Sequence, residues 1–208
     1  MIILDDVSKS FGEHILFNGV TFEIKDGDFV VFSGASGCGK TTMLNMIGGL
    51  EPLSGGKITV DGLDISKRKG KLEYFRTKVG FLFQNFALVE HKTVKQNLEL
   101  VRKKNRSDIS IGQALEKVGL SDKINAKVYT LSGGEQQRVA LARLMVKKCD
   151  IILADEPTGS LDKANAEKIV SILRDLNENG HKTVIMVTHD EELKKQGKTL
   201  IELNDQKT

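Results

Sequence analysis

The sequence predicts an α/β fold with a mainly parallel sheet at its core. Uninterrupted apolar runs at residues 29–32, 151–154 and 184–187 are typical of strands that are buried on both faces. Between these runs, apolar residues recur at helical spacing in residues 111–118 and 169–176. Because strands alternate with amphipathic helices, we expect crossover helices and parallel pairing.

The remaining parts of the chain show other patterns. Short apolar segments at residues 2–4, 20–24 and 58–60, separated by turns with Gly or Asp, predict a β-rich first part. Residues 86–130 lack the strand pattern, and we interpret them as a mostly helical subdomain inserted into the α/β core. Since the sequence has no internal repeat and no linker rich in Pro or Gly, we expect a single domain of residues 1–208.

Composition restricts the classes of partner. The 208 residues carry a net charge of +3, too small to indicate nucleic-acid binding, so we expect no nucleic-acid partner. Cys38 and Cys149 lack the spacing of a metal site or a disulfide framework, which fits a reducing cytoplasm. No apolar run approaches the roughly 20 residues that span a bilayer, so a membrane role would need a partner chain. The basic run at residues 67–71 is expected to be a solvated loop, with contact to phosphates or anionic lipid as the alternative.

A phosphate-binding loop is predicted directly after the run at residues 29–32. Gly34, Gly39, Lys40 and Thr41 have the spacing of a P-loop, and an apolar helix pattern follows them. Glycines let successive backbone N–H groups face an anion, and a helix N-terminus favours phosphate. We expect Lys40 to reach the β- and γ-phosphates and Thr41 to bind Mg²⁺. The nucleotide-binding candidates of the loop are Gly34, Ala35, Ser36, Gly37, Cys38, Gly39, Lys40, Thr41 and Thr42.

Two carboxylates, Asp155 and Glu156, follow the apolar run at residues 151–154. Because side chains alternate along a strand, the two carboxylates point to opposite sides and can have different roles. Beside a phosphate loop they predict that Asp155 holds Mg²⁺ and that Glu156 is the general base for an attacking water, whereas two solvated acids are the alternative. His189 follows the run at residues 184–187, so a strand delivers it to the same sheet edge, with a structural role as the alternative for a lone histidine.

The phosphate loop alone leaves kinases, GTPases, helicases and transport ATPases open, and a second glycine-containing motif narrows the choice. Ser132 and Glu135 have the spacing of a capping box at the start of an apolar helix. The same segment exposes a glycine-flanked serine and free N–H groups, which predicts a second anion-binding surface. Since one ATP needs one phosphate loop per chain, the second surface would serve the nucleotide of another subunit.

With these motifs in this order, the chain resembles the ATPases of the ABC transporter family over essentially its whole length. Residues 34–42 resemble the Walker A loop, residues 151–156 the Walker B strand and residues 131–135 the signature motif. Gln84 resembles the Q-loop glutamine, and His189 resembles the switch histidine. The residues that resemble the D-loop are Ser160, Leu161 and Asp162.

The resemblance implies the P-loop NTPase fold of ABC ATPases, with an N-terminal antiparallel β subdomain, and a homodimer that packs head-to-tail around ATP and Mg²⁺. Each ATP would lie between Lys40 of one chain and Ser132 of the other. Gln84 would sense Mg²⁺ and a membrane partner, while His189 would contact the γ-phosphate and hold Glu156 and the attacking water in register. The further nucleotide contacts that the resemblance implies are Gly133, Gly134 and Asp162.

Finer features of the sequence suggest a subgroup. Phe11 stands where the family often has a tyrosine that stacks on adenine, and a core role is its alternative. Residues 153–162 resemble the group that serves macrolide export, lipoprotein release and cell division, some of whose relatives export bacteriocins or antimicrobial peptides. We therefore expect an ATP-hydrolysing subunit that powers a separate permease at the cytoplasmic face of the membrane, with the cargo open. A soluble ABC ATPase is the alternative, although residues 84–131 are too few for the coiled coil of chromosome-type members.

Overall fold

The computed structural model describes residues 1–159, 161–195 and 197–203, which contain two sheets. The antiparallel sheet consists of Ile2–Phe11 (β1), His14–Ile24 (β2), Gly55–Val60 (β4) and Leu63–Asp64 (β5), in the order β2-β1-β4-β5. The parallel sheet consists of Phe29–Ser33 (β3), Val79–Leu82 (β6), Ile151–Asp155 (β7), Thr183–Val187 (β8) and Thr199–Glu202 (β9), in the order β6-β7-β8-β3-β9. The α/β prediction, with a parallel core and an N-terminal antiparallel sheet, is confirmed.

Helices cover the parallel sheet on both faces. They are Lys40–Ile47 (α1), Arg68–Thr77 (α2), Val94–Glu99 (α3), Ile111–Lys117 (α4), Gly133–Val146 (α5), Lys163–Glu178 (α6) and Glu191–Lys194 (α7). Phe29 and Val31 of β3 pack in one apolar cluster with α3 to α6, whereas Val30 and Phe32 pack in a second cluster with α1, α2 and the antiparallel sheet. Each fully buried apolar side chain of this kind contributes about 1.5–3 kcal/mol, so burial on both faces fixes the register of the strands. Within residues 1–159, 161–195 and 197–203, no helix is both long and apolar enough to cross a bilayer.

Side-chain caps determine where four of the helices begin. Thr93, Ser110 and Ser132 each form a capping box at the start of α3, α4 and α5, and Asp162 caps α6. A cap of this kind stabilises a helix by about 0.5–2 kcal/mol. The capping box predicted at Ser132 and Glu135 is therefore confirmed.

Short helices occupy much of residues 86–130. This stretch contains α3, α4 and the 3₁₀ turns Lys103–Asn105, Ser121–Lys123 and Val128–Thr130. Backbone hydrogen bonds join its two ends, from the Val94 N–H to the Ala126 carbonyl at 3.0 Å and from the Val128 N–H to the Lys92 carbonyl at 3.1 Å. The assignment of residues 86–130 as an inserted subdomain of one domain stays a prediction.

The structure contains elements that the sequence pattern does not predict. The pattern does not predict β6, which has only four residues including Gly80, or β9, which is an edge strand with mostly exposed side chains. The expectation of a solvated loop at residues 67–71 is wrong, because α2 begins at Arg68. That helix is held to the body by buried Tyr74 and by Gly70, which packs against the backbone of Asp64.

We expect the substitution Gly→Ala to have opposite effects in two helices. At Gly70 of α2, an added Cβ would lie 2.2 Å from the Asp64 carbonyl oxygen, so Gly70→Ala should reduce the free energy of unfolding by about 1–3 kcal/mol. At Gly112 of α4, an added Cβ meets nothing within 4 Å, so Gly112→Ala should leave stability unchanged or raise it by up to about 1 kcal/mol. Urea unfolding of both variants tests this difference, and equal effects would contradict the packing of α2 on Asp64.

Candidate functional site

The candidate site lies where the carboxyl ends of the parallel strands meet. The phosphate loop follows β3, Gln84 follows β6, Asp155 ends β7, and His189 follows β8. Ligands of open parallel sheets bind at this edge, because the loops after neighbouring strands converge there. A cavity of about 770 Å³ opens at this place, beside the β1–β2 hairpin.

Most of the predicted nucleotide and catalytic residues line this cavity. They are Phe11, Ser36, Gly37, Gly39, Lys40, Thr41, Thr42, Gln84, Glu156 and His189. The cavity is also lined by His14, Leu16, Gly159 and Val187, which the sequence analysis did not select. Of these, His14 was within reach of sequence reasoning, because it pairs with Phe11 across the short turn of the hairpin.

The phosphate loop surrounds the amine of Lys40. Its Nζ donates to the carbonyls of Gly34 at 2.9 Å and Ala35 at 2.7 Å, and the side chain is 5% exposed. Cys38 is buried with its Sγ 3.8 Å from the same amine, which fits a small side chain packed inside the loop. Gly39 caps α1 with a φ of 93°, a conformation that favours glycine. The loop thus places a cation and a helix N-terminus at one end of the cavity.

Thr41 and Asp155 form a pair suited to a divalent cation. The Thr41 hydroxyl donates to Asp155 Oδ1 at 2.9 Å. Burial raises the pKa of Asp155, and the Thr41 hydrogen bond only partly opposes this effect. A half-buried carboxylate of this kind is stabilised by a nearby cation. Within the described residues, no three or more His, Cys, Asp or Glu side chains form a metal-binding group.

Glu156 occupies a strained backbone position beside His189. Its φ is 44°, a conformation that costs about 1–3 kcal/mol for a residue with a side chain, and its N–H donates to the Val187 carbonyl at 3.0 Å. Oε1 lies 3.3 Å from Nε2 of His189 and has no hydrogen bond within the described residues, while the backbone N–H of His189 donates to Oε2 at 3.4 Å. Burial raises the pKa of the Glu156 carboxyl, and the charge of His189 partly opposes this. Glu156 therefore lines the cavity with a carboxylate whose buried Oε1 has no hydrogen bond within the described residues.

The predicted signature residues and the described D-loop residues, Leu161 and Asp162, lie outside the cavity lining. Ser132 and Gly133 are exposed at the start of α5, and Gly134 is buried against Asn165. Asp162 is exposed at the start of α6, where the backbone N–H of Asn165 donates to it and lowers the pKa of its carboxyl. Ser160, the first residue of the D-loop candidate, lies outside the described residues. The structure therefore brings the Walker A, Walker B and switch candidates together and leaves the signature candidates elsewhere on the surface.

Comparison with known proteins identifies the family. The sequence pattern described as ABC transporter matches residues 17–159, which include the phosphate loop, Ser132 and Glu156. The chain belongs to the ABC transporter family. It is an ATP-binding domain of that family, and the expected likeness to the macrolide-exporter group is confirmed by the relatives described below.

Relatives of this ABC domain carry different transport names. It is 38% identical to the macrolide export ATP-binding/permease protein MacB of Campylobacter jejuni over 99% of its own length, and it spans about a third (33%) of that relative. It is 37% identical to the putative hemin import ATP-binding protein HrtA of Staphylococcus epidermidis, with 99% of this chain and 97% of that one covered. One name refers to export of a macrolide and the other to import of hemin. The names therefore define neither a common cargo nor a common direction of transport.

A solved structure supports the fold of this ABC domain. The dimeric ATP-binding cassette MJ0796, in a post-hydrolysis state with ADP and Pi, matches with a TM-score of 0.86 at 37% identity. The match covers 99% of this chain and 95% of that chain. The predicted ABC ATPase fold is therefore confirmed.

We expect Phe11 to contribute to ATP binding through its ring. Phe11 is 50% exposed and lines the cavity, and the Lys9 amine lies 4.4 Å from its ring centroid. Aromatic stacking contributes about 0.5–1.5 kcal/mol, so Phe11→Ala should weaken ATP binding about two- to ten-fold. Ile15 is the matched control, since it is 56% exposed on the same hairpin and does not line the cavity. Titration with a fluorescent ATP analogue measures both variants, and equal affinities for Phe11→Ala and Ile15→Ala would contradict a stacking role.

Proposed function

We propose that this chain binds ATP and Mg²⁺, hydrolyses the ATP between two copies of itself, and thereby powers a separate membrane permease. The observation that carries the proposal is one cavity of about 770 Å³ that joins the Lys40 loop to Glu156 and His189. Ser132, the exposed residue that caps α5, lies outside this cavity. It is therefore available to a second copy, which supports the dimeric part of the proposal.

Binding of the triphosphate depends on the start of α1. Backbone N–H groups of residues 34–42 face the phosphates, and the Lys40 amine exchanges its two carbonyl acceptors for phosphate oxygens. Thr41 and Asp155, which are hydrogen-bonded to each other, would hold Mg²⁺. When bound, Mg²⁺ supplies charge neutralisation at the β- and γ-phosphates. Phe11 contacts the adenine at the other end of the cavity.

Hydrolysis depends on Glu156 and its neighbour His189. The Glu156 carboxylate accepts a proton from a water as the water oxygen bonds to the γ-phosphorus, and the bond from that phosphorus to the β–γ bridging oxygen breaks. ADP and phosphate result. His189, 3.3 Å from the carboxylate, holds Glu156 and the attacking water in line with the γ-phosphate. Gln84 lines the same cavity and also a neighbouring cavity that contains Asp155, so it lies where it can respond to the Mg²⁺ site.

A second copy completes each site. Lys40 and Ser132 belong to different surfaces of the chain, so one chain offers one phosphate loop and one signature surface. In a head-to-tail pair, Ser132, Gly133 and Gly134 of one copy cover the γ-phosphate that Lys40 holds in the other copy. Asp162 lies at this dimer surface. The dimeric MJ0796 cassette supports the pairing of two such domains.

Closure of the ATP-bound dimer would drive a conformational change in the permease. The MacB relative combines an ATP-binding and a permease part in its name, which supports a membrane partner and a place at the cytoplasmic face of the membrane. The group resemblance supports an exporter or mechanotransmission system for peptide, lipoprotein or drug. Purification of a tagged chain from detergent-solubilised membranes tests this step: a permease should accompany it, and ribosomal or DNA complexes in its place would contradict it.

We expect Glu156→Gln to separate ATP binding from hydrolysis. The amide keeps the size of the side chain but cannot accept the proton, so turnover should fall by about 10²- to 10⁴-fold while ATP binding is retained. The variant should accumulate as an ATP-bound dimer, because closure occurs and hydrolysis does not reopen it. Phosphate release and light scattering measure the two effects.

Glu178→Gln provides the control for the same chemical change. Glu178 is exposed at the end of α6, outside the cavity, and its substitution should alter neither turnover nor mass in solution. Full ATPase activity in Glu156→Gln would contradict the assignment of the general base. A Glu156→Gln chain that stays monomeric with saturating ATP would contradict the shared site.

A further inference from the structure

We infer that Asn165 is a positioning residue that fixes the signature helix α5 to Asp162 and thereby sets how Ser132 meets the ATP of a partner copy. The inference rests on the proposed dimer. Asn165 is partly buried in the first turn of α6, and its side chain bridges two elements. Its Oδ1 accepts from Nη1 of Arg138 on α5, and its Nδ2 donates to Oδ2 of Asp162 at 2.7 Å.

The bridge requires a carboxamide. Asn165 accepts from a cation on one side and donates to a carboxylate on the other, and its backbone N–H also donates to Oδ1 of Asp162 at 2.9 Å. Alanine can make neither side-chain bond. Aspartate can still accept from Arg138, but it has no donor for Asp162 and places a second negative charge beside it. The bridge therefore needs both Oδ1 and Nδ2 of the amide, one as acceptor and the other as donor.

Close packing adds a steric connection to the signature motif. A Cβ at Gly134 would lie 2.8 Å from Cγ of Asn165 and 2.9 Å from its Nδ2. The absence of a side chain at Gly134 therefore leaves room for the amide directly under the start of α5. Gly134 follows Ser132 by two residues, so this contact places Asn165 directly beside the signature motif.

A second hydrogen bond joins α5 to Pro157, at the start of the segment that ends at Asn165. Buried Gln137 donates from Nε2 to the Pro157 carbonyl at 2.7 Å, directly after Glu156. The segment from Pro157 to Asn165 is thus attached to α5 near both ends. Since Glu156 acts on the ATP of its own chain and Ser132 acts on that of the partner, these attachments connect the halves of two different ATP sites within one chain.

The inference separates two measurable steps. Asn165 and Gln137 do not line the cavity that holds Lys40, so ATP binding by a single chain should not depend on them. Closure of the dimer should depend on Asn165, because closure requires Ser132 and Asp162 to meet the partner copy in a fixed relative position. A residue that served only folding would affect both steps or neither.

Asn165→Ala and Asn165→Asp, each in the Glu156→Gln chain, test this separation. We expect both variants to need about ten-fold more ATP for half-maximal dimerisation, measured by light scattering, with Asn165→Asp the more affected. Binding of a fluorescent ATP analogue to dilute, monomeric protein should change by less than about two-fold. Asn165→Asp also guards against misfolding, because an acid in the first turn of a helix is favourable.

Asn179→Ala is the matched control at the C-terminal cap of the same helix. Asn179 donates from Nδ2 to Oδ1 of Asp175 at 2.8 Å, an exposed Asn–Asp bond with no link to α5. Its loss should leave dimerisation unchanged. If Glu156→Gln dimerises with ATP and the Asn165 variants require the same ATP concentration, or no more than Asn179→Ala does, the inference is wrong. If Glu156→Gln itself fails to dimerise, the proposed function is wrong instead.

Discussion

Parallel pairing of β7, β8 and β3 is the constraint on which the rest of the site depends. Asp155 pairs with Val187 of β8, and Val187 pairs with Phe32 of β3, so the three strands end at one level. The loops that follow them then deliver Lys40, Glu156 and His189 to one cavity. The register is fixed because both sheet faces are buried, and a slip of one residue would exchange the two apolar clusters. The chemistry is thus positioned by packing.

Unfavourable electrostatic and backbone energies are concentrated at the same edge of the parallel sheet. Burial raises the pKa of both Asp155 and Glu156, and the backbone of Glu156 is strained. Groups of this kind oppose folding and are tolerated where a ligand or a reaction uses them. The metal ion of a bound metal–nucleotide complex would bring positive charge to Asp155, and the Glu156 carboxylate would have a water to activate. The arrangement therefore suits a site that is completed by its substrate.

Sequence reasoning recovered the parts of the fold that leave a local signal. Residues 29–32, 151–154 and 184–187 are continuous apolar runs, and Ser132 has the acid three residues later that a capping box needs. β6 and β9 leave no such signal, because one is short and contains Gly80 while the other is an exposed edge. Their strand character comes from pairing with neighbours that the sequence alone does not identify.

Within the site, the limits of sequence reasoning have a similar cause. Lys40, Asp155 and Glu156 belong to compact motifs, whereas Leu16 and Val187 reach the cavity only through the fold. Asn165 was also missed, since its role depends on Arg138, which lies far from it along the chain. Spacing within a motif reveals local chemistry, and contacts between distant elements have to be seen in three dimensions.

The central claim is that each ATP is held by Lys40 of one copy and Ser132 of another. A crystal structure of the Glu156→Gln chain with ATP and Mg²⁺ is the most direct measurement of that claim. We predict a head-to-tail dimer in which the Ser132 hydroxyl of one copy is hydrogen-bonded to the γ-phosphate that Lys40 of the other copy contacts. An ATP-bound chain in which Lys40 and Ser132 of the same copy contact one nucleotide, or in which Ser132 contacts none, would contradict the account.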